Sequence, residues 1–244
     1  MVHETMARDF WNLGIRPDDT VLMHSSLSSL GYVEGGADTV IDTLLDVLKE
    51  GTLLIPALSY ESVTTESPEF SVLNSPSCIG RISETFRTRP GVRRSMHPTH
   101  SVCGVGRLAE EILSRHLDTD TPVGEMSPFA LLPSYGGKVL MLGCGLRPNT
   151  SMHGVEELVK PDYLLHPEPV EYRLTGYDGK ITRKIYLRHD FRTAIQRYDR
   201  LAEKMEIACG KVLNATSYLI DAQTMWQVGE KALREDPHCF IDPR

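Results

Sequence analysis

The sequence predicts an α/β fold, a layered α/β/α arrangement whose central sheet is mostly parallel or mixed, with an antiparallel hairpin added in the C-terminal third. Up to about residue 160, short apolar runs alternate with segments whose apolar residues recur at helical spacing. Beyond that point, EYRLTGYDGKITRKIYL alternates around Asp178-Gly179, a pair that favours a tight hairpin turn. We expect one domain over residues 1–244, with a core over about 15–160 and the hairpin and C-terminal helices over 161–244.

The first half of the chain supplies two predicted strands and two predicted helices. DTVLMHSS and TLLIPALSY are predicted as buried strands, and GADTVIDTLLDVLKEG between them as a helix that Gly51 ends. The Pro- and Ser-rich residues 61–77 are predicted as a long loop, and IGRISETFRTR as a helix. Long loops in compact domains often carry function, so this loop is a candidate binding element.

The second half continues the alternation and then changes character. RSMHPTHSVCGVG and KVLMLGCG are predicted to carry strands, and RLAEEILSRHL a helix, whereas PDYLLHPEP is predicted as a connector. TAIQRYDRLAEKMEIA has apolar residues at helical spacing and is predicted as a helix. Asp221 is predicted to cap a last helix that runs through Leu233.

Composition excludes several classes of protein. The net charge of −7 argues against a nucleic-acid partner, and no run of eighteen apolar residues or signal-peptide pattern is present, so we expect no membrane association and a cytoplasmic location. The five cysteines are odd in number and widely spaced, which argues against a disulfide scaffold or a zinc ribbon.

Three predicted strands end in polar residues, and ligands of open α/β sheets bind beyond such strand ends. After the first strand, Ser25, Ser26 and the following backbone amides are placed to bind phosphate oxygens, although a serine-rich turn has the same appearance. In the second of these polar segments, His97, Thr99 and Ser101 offer hydrogen-bonding groups.

A metal site in that second segment is disfavoured. His97, His100 and Cys103 are ligand types for zinc, but spacings of three along an extended segment place neighbours on opposite faces. We therefore expect no metal.

The third polar segment that follows a predicted strand is NTSMHGVEE, residues 149–157. If Asn149 or Thr150 caps a helix, His153 lies in its first turn, and Glu156 and Glu157 fall one turn later within reach of the imidazole. The helix N-terminus favours the neutral ring and a carboxylate favours the charged ring, a balance that suits a general base. Spacing alone does not exclude an ordinary packing histidine, and it does not choose between the two glutamates.

Four segments in order resemble the aminoglycoside 3-N-acetyltransferase family. They are HSSLSSLGYVEGGADTVID, RSMHPTHSVCGVG, DTPVGEMSPFALL and GKVLMLGCGLRPNTSMHGVEE. The resemblance implies an α/β/α fold distinct from the GNAT acetyltransferases, acetyl-CoA as co-substrate and an amine of an aminoglycoside or a similar cationic compound as acceptor. The chain departs from the resistance enzymes over residues 60–82, where its segment is shorter, which weakens the expectation of an antibiotic acceptor.

The resemblance also implies roles for individual residues. His153 becomes the base that takes the proton of the attacking amine, Glu156 orients it, and the Thr150 hydroxyl stabilises the oxyanion. The coenzyme A contacts become Ser25, Ser26, Leu27, His97, Pro98, Thr99, Ser101, Ser127 and Phe129. Because a polycation needs several acids around it, Glu61, Glu66 and Glu157 are the expected acceptor contacts.

Two other functions stay open at this point. A serine-type acyl hydrolase would use Ser25 or Ser101 as nucleophile with His153 as base, although no GxSxG elbow is present. A non-catalytic CoA-binding protein would need neither His153 nor Glu156. A small-molecule amine is the expected partner in the first case, and a homodimer is compatible with the sequence.

Overall fold

The computed structural model describes residues 2–190, 192 and 194–244. The α-helices in these residues are α1 (Val2–Leu13), α2 (Gly36–Val47), α3 (Arg81–Arg87), α4 (Ala109–Ser114), α5 (Pro128–Leu131), α6 (Ser151–Val159) and α7 (Ala222–Glu235). The strands are β1 (Thr20–Ser25), β2 (Thr52–Pro56), β3 (Glu69–Ser71), β4 (Arg93–Arg94), β5 (Val102–Gly106), β6 (Lys138–Leu142), β7 (Leu165–Thr175), β8 (Ile181–His189), β9 (Ala194–Gln196), β10 (Ala208–Val212), β11 (Ala215–Asp221) and β12 (Ile241–Pro243).

A seven-stranded mixed sheet with the order β10-β11-β6-β1-β2-β5-β4 forms the centre of the fold. Strand β1 pairs in parallel with both β2 and β6, and the outer pairs are antiparallel. The mixed α/β sheet predicted from the sequence is therefore confirmed. The three parallel strands bring their carboxyl ends to one edge, where a ligand crevice is expected.

Helices cover both faces of this sheet. Along β1, Val21 and Met23 pack into the apolar core beneath α1, α2 and α3, whereas Leu22 packs into the core shared with α4 to α7. Each of these side chains is fully buried, which stabilises the fold by roughly 1.5–3 kcal/mol per large apolar side chain. Burial on both faces explains why the central strands are continuous apolar runs.

The C-terminal hairpin is formed by β7 and β8, as the sequence predicts. Gly179 has φ 75°, a left-handed conformation that favours glycine, and the Gly176 N–H donates to the Lys180 carbonyl at 2.9 Å. Strand β3 adds to β7 in parallel, so the predicted loop over residues 61–77 contains a short strand. The predicted connector PDYLLHPEP also overlaps the start of β7.

Two other parts of the C-terminal third differ from the prediction. The expected helix over residues 193–208 is instead β9 followed by a 3-10 helix at Tyr198–Glu203, and Thr193 lies outside the described residues. A 3-10 helix also brings residues three apart onto one side, so the apolar spacing was genuine but its interpretation as an α-helix was wrong. Strands β10 and β11, which complete the main sheet, were not predicted.

Two predicted boundary residues have different outcomes. Asp221 caps α7 as predicted, because its carboxylate accepts from the Thr224 N–H at 2.7 Å. Gly51 does not end α2, which stops at Val47. A Cβ at Gly51 would lie 2.2 Å from the Asp19 carbonyl oxygen, so this glycine allows two backbone segments to approach closely.

Candidate active site

A cavity of about 710 Å³ opens at the carboxyl ends of the parallel strands. Its floor includes Ser25 at the end of β1, and one wall comes from the first turn of α6. The loop after β2 and the end of β8 close the other sides. The lining residues are Met23, His24, Ser25, Ile55, Leu58, Tyr60, Val63, Thr64, Thr65, Ile79, Ser83, Thr99, His100, Cys144, Arg147, Pro148, Thr150, His153, Tyr172, Arg188, His189, Gln196 and Tyr198.

Local hydrogen bonds fix the start of α6 against the cavity. The Asn149 side-chain oxygen accepts from the Ser151 N–H at 3.2 Å, and Thr150 occupies the cap position and lines the cavity. The residues Ser151 to Glu157 are all buried, so the helix cannot rotate without breaking core contacts. His153 is therefore held at the cavity wall.

The His153 imidazole belongs to a buried hydrogen-bonded group with Glu156 and Tyr198. Its Nδ1 lies 2.9 Å from Glu156 Oε2 and 2.6 Å from the Tyr198 hydroxyl, and that hydroxyl donates to the same carboxylate oxygen at 2.7 Å. One consistent proton arrangement has Nδ1–H donating to the carboxylate, which makes Nε2 the nitrogen with the lone pair.

Glu156 is completely buried and its carboxylate accepts a third hydrogen bond, from the Tyr163 hydroxyl at 2.6 Å. Lys160 ends α6 with φ 55° and turns the chain so that Tyr163 reaches back to this carboxylate. Burial is the largest effect on the carboxyl and raises its pKa, but the hydrogen bonds from His153, Tyr163 and Tyr198 outweigh it and lower the pKa. Glu156 is therefore ionised beside His153.

Glu157, the other glutamate of the motif, is buried and does not line the cavity. Its oxygens accept from the Val123 N–H at 2.8 Å and from the Thr121 hydroxyl, and one of them lies 2.8 Å from His189 Nε2. Burial raises the pKa of its carboxyl to about 7, against the effect of these hydrogen bonds. Both oxygens are thus engaged with the protein, where the sequence predicted an acceptor contact.

Several further imidazoles surround the site. His24 and His100 line the cavity, and the His189 ring centroid lies 4.7 Å from that of His153. Burial, and then the nearby His153, lowers the pKa of His24 to about 3, so this ring is neutral near pH 7. His97 stacks on His116 at 4.8 Å, and its Nδ1 accepts the Thr99 and His100 N–H groups.

The predicted coenzyme A contacts fall into two groups. Ser25 and Thr99 line the cavity together with Thr150. The others do not line it: Ser26, Leu27, His97, Pro98, Ser101, Ser127 and Phe129. Several of these have structural contacts, since Ser127 caps α5 and Phe129 is fully buried in the core.

Ser101 holds a buried arginine beneath the cavity. Its hydroxyl donates to the Ala57 carbonyl and accepts from Arg94 Nε, both at 2.8 Å. Arg94 also donates to the carbonyls of Ser75 and Ala57 and lies 4.8 Å from the Phe70 ring centroid. This network fixes the loop after β2, which forms a cavity wall.

The predicted acceptor contacts on that loop, Glu61 and Glu66, are exposed and are not among the lining residues. The Glu66 carboxylate accepts from the Thr65 hydroxyl at 2.7 Å. The loop instead contributes Tyr60, Val63 and Thr64 to the cavity.

Sequence reasoning missed the residues that come from the C-terminal third. Tyr163 and Tyr198 complete the group around Glu156, and Arg188 and Gln196 line the cavity. Tyr198 had a signal only as an apolar position of a predicted helix. No local pattern shows that a residue 45 positions after His153 lies beside it.

Within residues 2–190, 192 and 194–244, no three His, Cys, Asp or Glu side chains are arranged to hold a metal ion. Cys103, considered with His97 and His100 as a ligand, is buried in the apolar core under α2. None of the helices in the described part of the chain has the length and apolar composition that a bilayer crossing requires.

Comparison with known proteins identifies a family whose members resemble this chain over most of its length. The sequence profile of the aminoglycoside 3-N-acetyltransferase family matches residues 22–234. Aminoglycoside N(3)-acetyltransferase VII of Streptomyces paromomycinus is 36% identical over 171 residues, an alignment that covers 63% of this chain and 59% of that relative. This chain therefore spans less than two thirds of the length of that relative.

Solved structures superpose over almost the whole chain. A variant of aminoglycoside acetyltransferase AAC(3)-IVa in complex with gentamicin has a TM-score of 0.84 at 31% identity, covering 99% of this chain and 91% of that one. AAC-IIIb bound to CoASH has a TM-score of 0.82 at 27% identity, covering 96% of each chain. By profile, sequence and fold, this chain belongs to the aminoglycoside 3-N-acetyltransferase family.

Proposed function

We propose that this chain transfers an acetyl group from acetyl-CoA to an amine, with His153 as general base. The observation that supports the proposal best is the buried contact of His153 with Glu156 and Tyr198 at the wall of the cavity. The relative AAC-IIIb binds CoASH, and AAC(3)-IVa binds gentamicin, an amine. The cavity volume also falls in the range of small-molecule sites.

In this proposal Glu156 orients the imidazole of His153 and stabilises its protonated form. With Nδ1–H donated to Glu156, the Nε2 lone pair of His153 takes the proton that the acceptor ammonium must lose before its nitrogen can attack. The ionised carboxylate then stabilises the imidazolium that forms. Tyr163 and Tyr198 keep the carboxylate in place without competing for the proton, because burial, the first cause, raises the pKa of both phenols well above the usual value.

Acetyl-CoA supplies the thioester whose acetyl group is transferred, and Ser25 and Thr99 are the lining residues we assign to its contacts. The neutral amine nitrogen attacks the thioester carbonyl to form the N–C bond and a tetrahedral oxyanion, which collapses as the C–S bond breaks. Of the two protons that the ammonium loses in becoming an amide, His153 passes one to the departing thiolate and the other leaves to solvent. We assign oxyanion stabilisation to Thr150, whose hydroxyl and helix-start position suit developing negative charge.

The rival hydrolase reading receives less support from the same contacts. The Ser101 hydroxyl is committed to Ala57 and Arg94, and among the described hydrogen bonds none joins Ser25 to His153. A serine nucleophile needs such a bond to a base.

The test is thiol release and acceptor mass in purified protein given acetyl-CoA and a panel of amines. The His153→Ala variant is expected to lose roughly 10²–10⁴ in transfer rate, the usual contribution of a general base, while CoA affinity stays within a few-fold. His3→Ala, which changes an exposed imidazole on α1 paired with Asp46, is the control and keeps its rate. Transfer near the wild-type rate in His153→Ala, or thiol release without an acceptor, would contradict the proposal.

A further inference from the structure

The charges on the cavity wall do not suit a polycationic acceptor. Among the described residues that line the cavity, none is an aspartate or a glutamate, whereas Arg147 and Arg188 both line it. A site that holds several ammonium groups needs carboxylates near them, because one exposed ion pair contributes only about 0–1 kcal/mol. The fixed charge of this wall is instead positive.

Arg188 lies near the end of β8 and its guanidinium has no anionic partner. In the part of the chain that the structure describes, no carboxylate lies within 4.0 Å of it, and its buried Nε has no hydrogen-bond partner. The exposed Glu66 is only weakly coupled to it: the pKa of Glu66 is lowered first by the Thr65 hydroxyl and least by the charge of Arg188. When a bound ligand displaces water from this guanidinium, the unpaired charge becomes unfavourable unless the ligand supplies an anionic group.

Two further donors line the same cavity. The side-chain nitrogen of Gln196 is buried and has no hydrogen-bond partner within the described residues. Arg147 donates from Nε to the Gln196 carbonyl at 3.3 Å, and its closest carboxylate contact, with Asp199, is long at 3.9 Å. Guanidinium and amide N–H groups together match the oxygens of a carboxylate or a phosphate.

These donors line the same cavity as the proposed base. Arg188 precedes His189, whose ring centroid is 4.7 Å from that of His153. Gln196 is two residues before Tyr198, whose hydroxyl lies 2.6 Å from His153 Nδ1. An acidic group bound by Arg188 and Gln196 would therefore hold an attached amine in the cavity that His153 lines.

We propose, as an extension of the function above, that Arg188 and Gln196 bind a carboxylate or phosphate group of the acceptor, so that the preferred acceptor is an anionic or zwitterionic amine. Coenzyme A also carries phosphates and is the other source of the same chemistry. The experiment must therefore separate acceptor binding from coenzyme binding.

The experiment compares matched pairs of amines that differ only in an anionic group, namely glucosamine with glucosamine 6-phosphate and ethanolamine with phosphoethanolamine. Binding to the CoA-saturated protein is measured by calorimetry, and kcat/KM is measured with acetyl-CoA. We expect the phosphorylated member of at least one pair to bind about tenfold or more tightly than its partner without a phosphate, since a charge-assisted hydrogen bond contributes on this scale.

Two variants test whether Arg188 causes the preference for the anionic amine. Arg188→Gln should reduce the preference to within about threefold. Arg183→Gln should keep the preference, because Arg183 lies on the same strand in an exposed pair with Glu171. Equal binding or no binding of every anionic member overturns the inference. It is also overturned if Arg188→Gln weakens CoA binding while the preference persists.

Failure of the proposed function has a different signature. If no amine supports thiol release but the anionic preference and its dependence on Arg188 remain, the transfer reaction is contradicted and the anion-binding position stands. If transfer is efficient with amines that carry no anionic group, or with 2-deoxystreptamine aminoglycosides, and is insensitive to Arg188→Gln, the reaction stands and the inference is wrong.

Discussion

Two adjacent glutamates on α6 have opposite surroundings. Glu156 receives hydrogen bonds from His153, Tyr163 and Tyr198, whereas Glu157 joins α6 to the Val123 backbone and to His189. The pKa is lowered for the first carboxyl and raised to about 7 for the second. Two neighbouring positions on α6 therefore differ: Glu156 is an ionised group beside His153, and Glu157 joins α6 to other parts of the fold.

This difference defines the first prediction at the scale of single residues. Glu156→Gln keeps an oxygen that can accept from His153 but removes the charge that stabilises the imidazolium, and an amide cannot satisfy all three donors. We expect kcat to fall roughly tenfold, equivalent to about 1.4 kcal/mol, which is less than the loss for His153→Ala. KM for the acceptor should stay within a few-fold.

Glu157→Gln is the matched control, because an amide resembles the protonated carboxyl and can still accept from Val123. Steady-state kinetics of both variants under identical conditions decide the matter. A crippled Glu157→Gln enzyme beside an unaffected Glu156→Gln enzyme would reverse the assignment.

At the scale of elements, α6 holds His153, the proposed base, at the cavity wall because the helix packs tightly against its neighbours. A Cβ on Gly154 would lie 2.8 Å from the Trp226 ring on α7 and 3.0 Å from Val123. Glycine normally weakens a helix by about 1 kcal/mol relative to alanine, so its presence here reflects the close approach of α6 and α7.

Gly154→Ala is accordingly expected to lower the free energy of unfolding by about 1–3 kcal/mol, because overpacking outweighs the gain in helix propensity. Transfer should fall as well, since His153 is the preceding residue. Denaturant unfolding measures the stability. In a Trp226→Phe background the contacting ring atoms are absent, so the same substitution should cost clearly less. An equal cost in both backgrounds would show that the Trp226 contact is not the cause.

The elements that the sequence predicts well have strong local signals. Strands β1, β2 and β6 are uninterrupted apolar runs, and α7 begins at a capping aspartate. The hairpin of β10 and β11 has no comparable signal, because its turn contains Leu213 at φ 50° in place of an Asn-Gly or Asp-Gly pair. Tyr198 shows the limit for the site, since only tertiary folding brings it to His153.

At the scale of the whole molecule, the sheet edge and the β7–β8 hairpin enclose a series of imidazoles. His97, His100, His116 and His189 are close to one another in ring pairs, with centroids 4.8 to 5.9 Å apart where they are adjacent. Burial is the main cause that lowers the pKa of each, and that of His24, below the ordinary value. Several buried histidines of the folded chain are therefore neutral near pH 7.

The last prediction is that this arrangement makes the fold labile to acid. A histidine whose folded pKa is lowered binds its proton more readily in the unfolded chain, so its contribution to stability is present above about pH 6.5 and is lost as the pH falls toward the folded pKa, about 3 for His24 and His116. Glu157, with a pKa raised to about 7, acts in the opposite direction between about pH 4.5 and 7, but it is one group against five.

We expect the free energy of unfolding, measured with denaturant at pH 5, 6, 7 and 8, to drop steeply below pH 6.5. Each histidine contributes up to about 1.4 kcal/mol per pH unit. His116→Gln removes one titrating ring bonded to Ser95 and should flatten the acid slope by roughly that amount, whereas the exposed His238→Gln should leave it unchanged. An unfolding free energy that is level from pH 7 to 5, or a slope that His116→Gln does not alter, would show that protonation of these buried rings does not limit the stability of the fold.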